Sequence, residues 1–204
     1  MGLRLRPGPL LVQLVVTGSL LIGAAYAVLD PAATQIESLD SALLASMKAG
    51  PTLTMAERYR QLAPVIERTF DLPVMTAFAV GSTWANFSSE EQQALIAAFR
   101  RLTIASYAHN FTSFDGERFE IQPDVAVRGV DRIVQTHLIS PHNAPVNLTY
   151  RMRESAGLWK IIDVYFGAIS QLTTRRADFA APIASGGASG LIAHLNSLSD
   201  DLLR

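Results

Sequence analysis

The sequence predicts an α+β domain on three observations: apolar residues at helical spacing in the first half, four β-rich segments in the second, and a helical tail. Ile36, Leu39, Leu43 and Met47 mark a first helix that ends before Gly50-Pro51. A second begins at Thr54, where Thr54-Met55-Ala56-Glu57 reads as a capping box, and carries Tyr59, Leu62, Ile66 and Phe70 along one stripe. Pro64 sits inside that run and is expected to kink or divide it. After Leu72-Pro73 a short helix with Val74, Met75 and Phe78 stops at Gly81. Ser88-Ser89-Glu90-Glu91 is a second capping box, opening a long helix to about His109 with Leu95, Phe99 and Leu102 on one face.

From there the chain changes character. "GERFEIQ", "VAVRGVDRIVQTHLI", "VNLTYRMRE" and "LWKIIDVYF" are β-rich and separated by turn residues. In the third, Val146, Leu148, Tyr150 and Met152 point inward and Asn147, Thr149, Arg151 and Arg153 outward. Ser155-Ala156-Gly157 is a short hairpin turn into the last strand, whose two faces are both apolar: Trp159, Ile161 and Tyr165 on one, Ile162, Val164 and Phe166 on the other. A strand of that kind needs an apolar cover on each side. The tail is helical from about Gln171, passes a Gly-rich break "SGGASG", and closes on Leu191, Leu195, Leu198 and Leu202. There is no internal repeat and no second domain.

The N-terminus reads as an export signal over residues 1–27. Arg4 and Arg6 form a basic start, Leu10 to Ala25 is an uncharged apolar run, and Ala25-Tyr26-Ala27 has the small-x-small pattern of a cleavage site. An uncleaved membrane anchor is the alternative. Cleavage leaves residues 28–204 as one domain in which 15 basic face 18 acidic residues, a net charge of −3. That weakly acidic balance gives no field to attract nucleic acid. Asn86, Asn110 and Asn147 stand in Asn-x-Ser/Thr tripeptides, which are common by chance. The absence of cysteine excludes disulfides, thiolate metal sites and a cysteine nucleophile.

Catalytic constellations find little support. His109, His137, His142 and His194 show no metal-ligand spacing, there is no Gly-x-Ser-x-Gly elbow, and Gly186 to Gly190 lacks the Lys-Ser/Thr of a phosphate loop. Neither a metal nor a cofactor is expected. Asp163 is the one acidic residue within an apolar strand. It pairs with Arg100, Arg101, Arg175 or Arg176 in the structural reading and acts as a general base in an apolar pocket in the catalytic one. Trp84 either anchors a ligand or plugs the core.

Arg58 to Trp84, "RYRQLAPVIERTFDLPVMTAFAVGSTW", followed by "FSSEEQQALIAAFRRLTIASYAHNF", resembles the MlaC (toluene-tolerance auxiliary) family of periplasmic lipid-binding proteins. The motifs that carry the likeness are Phe70-Asp71, the Gly81 to Trp84 turn, the helix start Ser89 to Gln92, and the Trp-x-x-x-Asp-Val strand from Trp159 to Val164. Typical members continue into an Asn-Tyr-Arg helix, whereas this chain has Thr174-Arg175-Arg176-Ala177-Asp178-Phe179, a variant that resembles the hopanoid-associated HpnM branch. The resemblance implies helices on a curved antiparallel sheet of about four strands, a cone of the NTF2-like type around an apolar cavity. It implies a phospholipid or hopanoid ligand and no catalytic step. It also implies an inner-membrane lipid transport complex, with an outer-membrane partner, as the proteins served. The lining expected is Phe70, Val74, Phe78, Phe99, Tyr107, Tyr150, Ile161, Val164 and Phe166. Two rivals stand beside this reading: a non-catalytic adaptor with a filled interior, and a cone-fold enzyme using Asp163.

Overall fold

The computed structural model describes residues 30–204, so the leader expected over 1–27 lies outside the described residues. Helix α1 (Pro31–Ala49) starts where the Asp30 carboxylate accepts from the Ala32 N–H at 2.8 Å, with proline at its first position. Helices α2 (Met55–Thr69) and α4 (Ser89–Asn110) each open on the capping box read from the sequence. Thr54 N–H donates to Glu57 Oε2 at 2.9 Å and Ser88 N–H to Glu91 Oε2 at 2.8 Å, with the hydroxyls of Thr54 and Ser88 accepting in return. α2 runs undivided through Pro64. The bond forfeited there belongs to the carbonyl of Arg60, an exposed residue, so water can serve it.

Helix α3 (Leu72–Val80) follows at once, with Asp71 as its cap. The Asp71 N–H donates to the Ile161 carbonyl at 2.9 Å, and Phe70 bridges Ile161 in parallel, which ties the start of α3 to an edge of the sheet. A 3-10 turn over Gly81–Asn86 brings the half-buried Trp84 against the core, and Gln92 Nε2 fixes it by donating to the Trp84 and Phe87 carbonyls.

The sheet is open, antiparallel and six-stranded, in the order β1 (Arg118–Ile121), β3 (Asp131–Ile139), β4 (Val146–Ser155), β5 (Leu158–Phe166), β6 (Ile169–Ser170); β2 (Ala126–Arg128) also pairs β3. Two of its strands are short, which is why the sequence shows only four. The stretch Val125 to Ile139 is not one extended segment. It folds back at Gly129-Val130, with Arg128 opposite Asp131 and Gly129 at φ 62°. The β4–β5 hairpin turns through Ala156 and Gly157, at φ 51° and 78°, the two left-handed residues of a tight turn that matches strand twist.

Strict alternation fails in β5. A bulge shifts the register between Arg151 and Met152, so Tyr150 faces Val164 while Met152 faces Ile161. Ile161 and Val164 therefore share the inward face that alternation had placed on opposite sides, and Ile162 and Asp163 both turn outward. Inward from the sheet lie Val134, Leu148, Tyr150, Met152 and Ile161, all buried, under helices α1, α2, α3 and α5, with α4 packed on α2 and α5.

The last helix, α5 (Gln171–Leu202), is two helices joined at Gly187, whose φ of 58° and ψ of −143° are not helical. Its second half packs back on the first at Gly190, where a Cβ would stand 2.7 Å from the Pro182 carbonyl oxygen. At the other end of the helical layer, Arg58 is almost fully buried and meets no carboxylate. Its guanidinium donates to the carbonyls of Ser46 (2.5 Å), Gly50 (2.6 Å) and Phe111 (3.1 Å), gathering the C-terminal ends of α1 and α4, where helix dipoles favour a cation.

Candidate functional site

Between α4, the start of α5 and the inward face of β4 and β5 lies an apolar cavity. Its volume is ≈ 150 Å³ and it opens to solvent; the surrounding atom-free space, open solvent included, comes to ≈ 850 Å³. Helix α4 supplies one wall as a stripe at helical spacing: Phe99, Leu102, Thr103, Ser106, Tyr107 and Asn110. Met75 and Phe70 close one side, Leu148, Tyr150 and Val164 form the opposite wall, and Phe166 stands at the lip, 49% exposed. Phe70 meets Tyr107 edge-on at 5.5 Å, and Tyr107 stacks on Phe111 at 5.7 Å, so the aromatic wall is mutually supported. Polar groups gather with Gln171 and Arg175 from α5 and Asn110 from α4, while Val146 and Ile169 beside Phe166 leave the lip apolar and exposed.

Of the nine residues expected from the sequence, the cavity is lined by Phe70, Phe99, Tyr107, Tyr150, Val164 and Phe166. Val74 and Phe78 lie elsewhere. They stand half-exposed on α3 and line a second hollow on the outward side of the sheet, with Ile162, Asp163, Tyr165, Arg151 and Arg153. Ile161 is fully buried in the core against Phe70 and lines neither space. Trp84 packs against the core rather than either hollow. Sequence reasoning missed the polar residues Thr103, Ser106, Asn110, Gln171 and Arg175, and the apolar residues Met75, Leu102, Phe111, Leu148 and Leu172. The i, i+3, i+4, i+7 spacing from Phe99 held the signal for the first three, but hydroxyl and amide side chains on that stripe broke the apolar pattern being sought.

The second hollow carries a balanced charge set. Asp131 is buried beneath Arg151 and Arg153, accepting from Arg151 Nε at 2.6 Å and Arg153 Nε at 2.7 Å; these bonds, Arg153's first, hold its carboxyl below the usual range. Among the described residues, Asp163 does not pair with an arginine. Arg100 is bound to Glu67, Arg101 to Asp200, Arg175 lies 4.0 Å from Asp178, and Arg176 sits over the Phe78 ring. The Asp163 carboxylate accepts instead from Ser170 Oγ at 2.7 Å and from the N–H groups of Val164 (2.8 Å) and Leu172 (3.2 Å). It thereby clamps the β6–α5 junction onto β5, and Ser170 in turn caps α5 through the Thr173 N–H. Three fixed donors on one carboxylate fit it to anchor the chain at this junction.

One buried carboxyl has no such partners. Asp40 on α1 is 5% exposed, and among the described residues neither of its oxygens has a hydrogen-bond partner. Burial, with help from the Glu37 charge, pushes its pKa up to about 7. Its charge acts on the phenols of Tyr107 and Tyr150, which burial raises first. Also among the described residues, no cluster of three His, Cys, Asp or Glu could hold a metal ion, and no helix is long and apolar enough to cross a membrane.

A family model, that of the MlaC protein, matches residues 37–197. The chain belongs to the MlaC family. The matched span takes in every element from α1 to the second half of α5, and so both walls of the cavity. The fold is also similar to a solved structure, a phospholipid-binding protein from Ralstonia solanacearum in complex with a phospholipid. The TM-score is 0.74, over 85% of this chain and 99% of that one, at 24% sequence identity. The α+β arrangement of helices on an open antiparallel sheet is thus shared with that MlaC-like fold.

Proposed function

We propose that this MlaC-family chain is a non-catalytic lipid carrier whose cavity, opening at Phe166, holds the acyl or ring part of a lipid while its polar head stays near Arg175 and Gln171. The observation that carries the reading is the apolar space between α4 and the β4–β5 walls, continuous with an exposed apolar lip. Each methylene left in water costs about 0.8 kcal/mol, so two chains of roughly fifteen methylenes cost on the order of 20 kcal/mol if exposed. A carrier must cover most of that area. At roughly 30 Å³ per methylene, close to the share of a liquid water molecule, one such chain needs about 450 Å³ and two about 900 Å³. The cavity volume of ≈ 150 Å³ falls short of either, so the reading requires the walls to part as the chains enter.

The phospholipid bound by the Ralstonia relative supports a phospholipid as ligand. The Thr174 to Phe179 variant supports a hopanoid-type lipid of the HpnM branch as the alternative. Export by residues 1–27 places residues 28–204 in the periplasm, where they would move lipid between an inner-membrane transport complex and an outer-membrane partner. Substituting Val164→Arg puts a charge on the cavity wall. A folded variant that no longer co-purifies with extractable lipid supports the carrier. A folded variant that retains as much lipid as the wild type places the ligand elsewhere, and the adaptor reading then gains.

A further inference from the structure

We propose that Asp40 is a proton-linked control on the cavity: its carboxyl is neutral while an apolar ligand fills the space before Tyr107 and Tyr150, and ionised and hydrated once that ligand has left. The inference rests on the carrier reading and adds a coupling to it. The geometry carries it. A buried carboxylate without a donor is the costliest state a side chain can hold in a core, and the usual remedies of ion pair or hydrogen bond are missing here.

Among the described residues, the groups around it leave no other counter-charge. Glu37 on its own helix opposes ionisation. From α4 and β4 come the phenols of Tyr107 and Tyr150. From α2, Arg58 is committed to the carbonyls of Ser46, Gly50 and Phe111. The inward positions of β1, β3 and β5 that α1 covers are Phe119, Ile121, Val134, Thr136 and Ile161, none ionisable, and Arg132 at the strand end is held by Asp30 and Trp159. In this proposal water reaches the carboxylate from the cavity side, past the two phenols that line it, or a phenol turns to donate to it. Either response needs the cavity free of an apolar occupant. An occupant that excludes water favours the neutral acid, and by linkage the neutral acid favours the occupant.

The test uses the full chain and, as probe, a phosphatidylglycerol with one fluorescent acyl chain, titrated between pH 5.5 and 9 into wild type and Asp40→Asn. The proposal expects wild-type affinity to fall about tenfold from low to high pH, the loss that one unit of coupled pKa change produces. Asp40→Asn, neutral at every pH, is expected to keep the low-pH affinity throughout. A wild type with no pH dependence, or a variant with the same slope, overturns the control and leaves the carrier intact. No binding by either protein at any pH overturns the carrier and this inference with it. Calorimetry of the wild type near pH 7.5, in two buffers of different ionisation enthalpy, needs no variant: fractional proton uptake on binding is expected, and none would overturn the proposal.

Discussion

Replacing Asp163 by alanine removes the acceptor of three donors at the point where β5 hands the chain to α5. Ser170 Oγ and the Leu172 N–H lose a charged partner at 2.7 and 3.2 Å, and the Val164 N–H loses one at 2.8 Å. A hydrogen bond to a charged group contributes about 1.5–3 kcal/mol, and a buried donor left unmade costs about 1–3. Ser170 is partly exposed and turns to water, whereas Leu172 is buried and cannot. With the Val164 N–H, also in a buried residue, the two buried donors left unmade come to about 2–6 kcal/mol for Asp163→Ala. Asp163→Asn keeps an acceptor for the backbone donors and presents its amide to the Ser170 hydroxyl, which can accept, so its cost is about 1 kcal/mol. Urea denaturation followed by far-UV circular dichroism measures both. A loss below about 1 kcal/mol for alanine, or equal losses for the two variants, would refute the anchor and return Asp163 to the catalytic reading.

Other expectations follow from single contacts. Arg58→Met is expected to lose about 3 kcal/mol by the same denaturation, since it leaves buried carbonyls of α1 and α4 without a donor. Gly190→Ala should lower stability by about 1–3 kcal/mol and its Tm accordingly, because the added Cβ meets the Pro182 carbonyl at 2.7 Å. For pH, Asp40 binds its proton more tightly folded, near 7, than unfolded, near 3.8. Its burial therefore costs nothing below about pH 4, and the penalty grows to its full size as pH rises to 7, at most about 4 kcal/mol. Asp131, lowered by its arginines, works the other way: its contribution is present above the unfolded value and lost in acid. The difference in unfolding free energy between wild type and Asp40→Asn, measured from pH 4 to 8, isolates the first effect, and a flat difference would contradict it.

Much of the fold was written in local chemistry. Thr54-Glu57 and Ser88-Glu91 named two helix starts to the residue because a capping box is a short-range pattern. Ala156-Gly157 fixed the register of the β4–β5 hairpin for the same reason. What escaped depended on partners distant in sequence. The bulge opposite Arg151 and Met152 is a mismatch between two strands and has no mark in either alone, so Ile161 and Ile162 were assigned to the wrong faces. Arg58 reads as one more solvent-facing arginine on a charged helix until the ends of α1 and α4 are brought to it. The polar cavity residues from α4 were hidden for a different reason: a cavity-facing stripe that also carries Thr103, Ser106 and Asn110 looks less apolar than a core stripe.

The measurement that bears most directly on the carrier is native mass spectrometry of the full chain, expressed with residues 1–27 in place in a Gram-negative host and purified without detergent, beside its Val164→Arg variant. The account predicts one lipid per wild-type chain, a phospholipid or hopanoid by solvent extraction, and none on the folded variant. A wild-type protein that flies free of lipid, from a host that makes both, would contradict it.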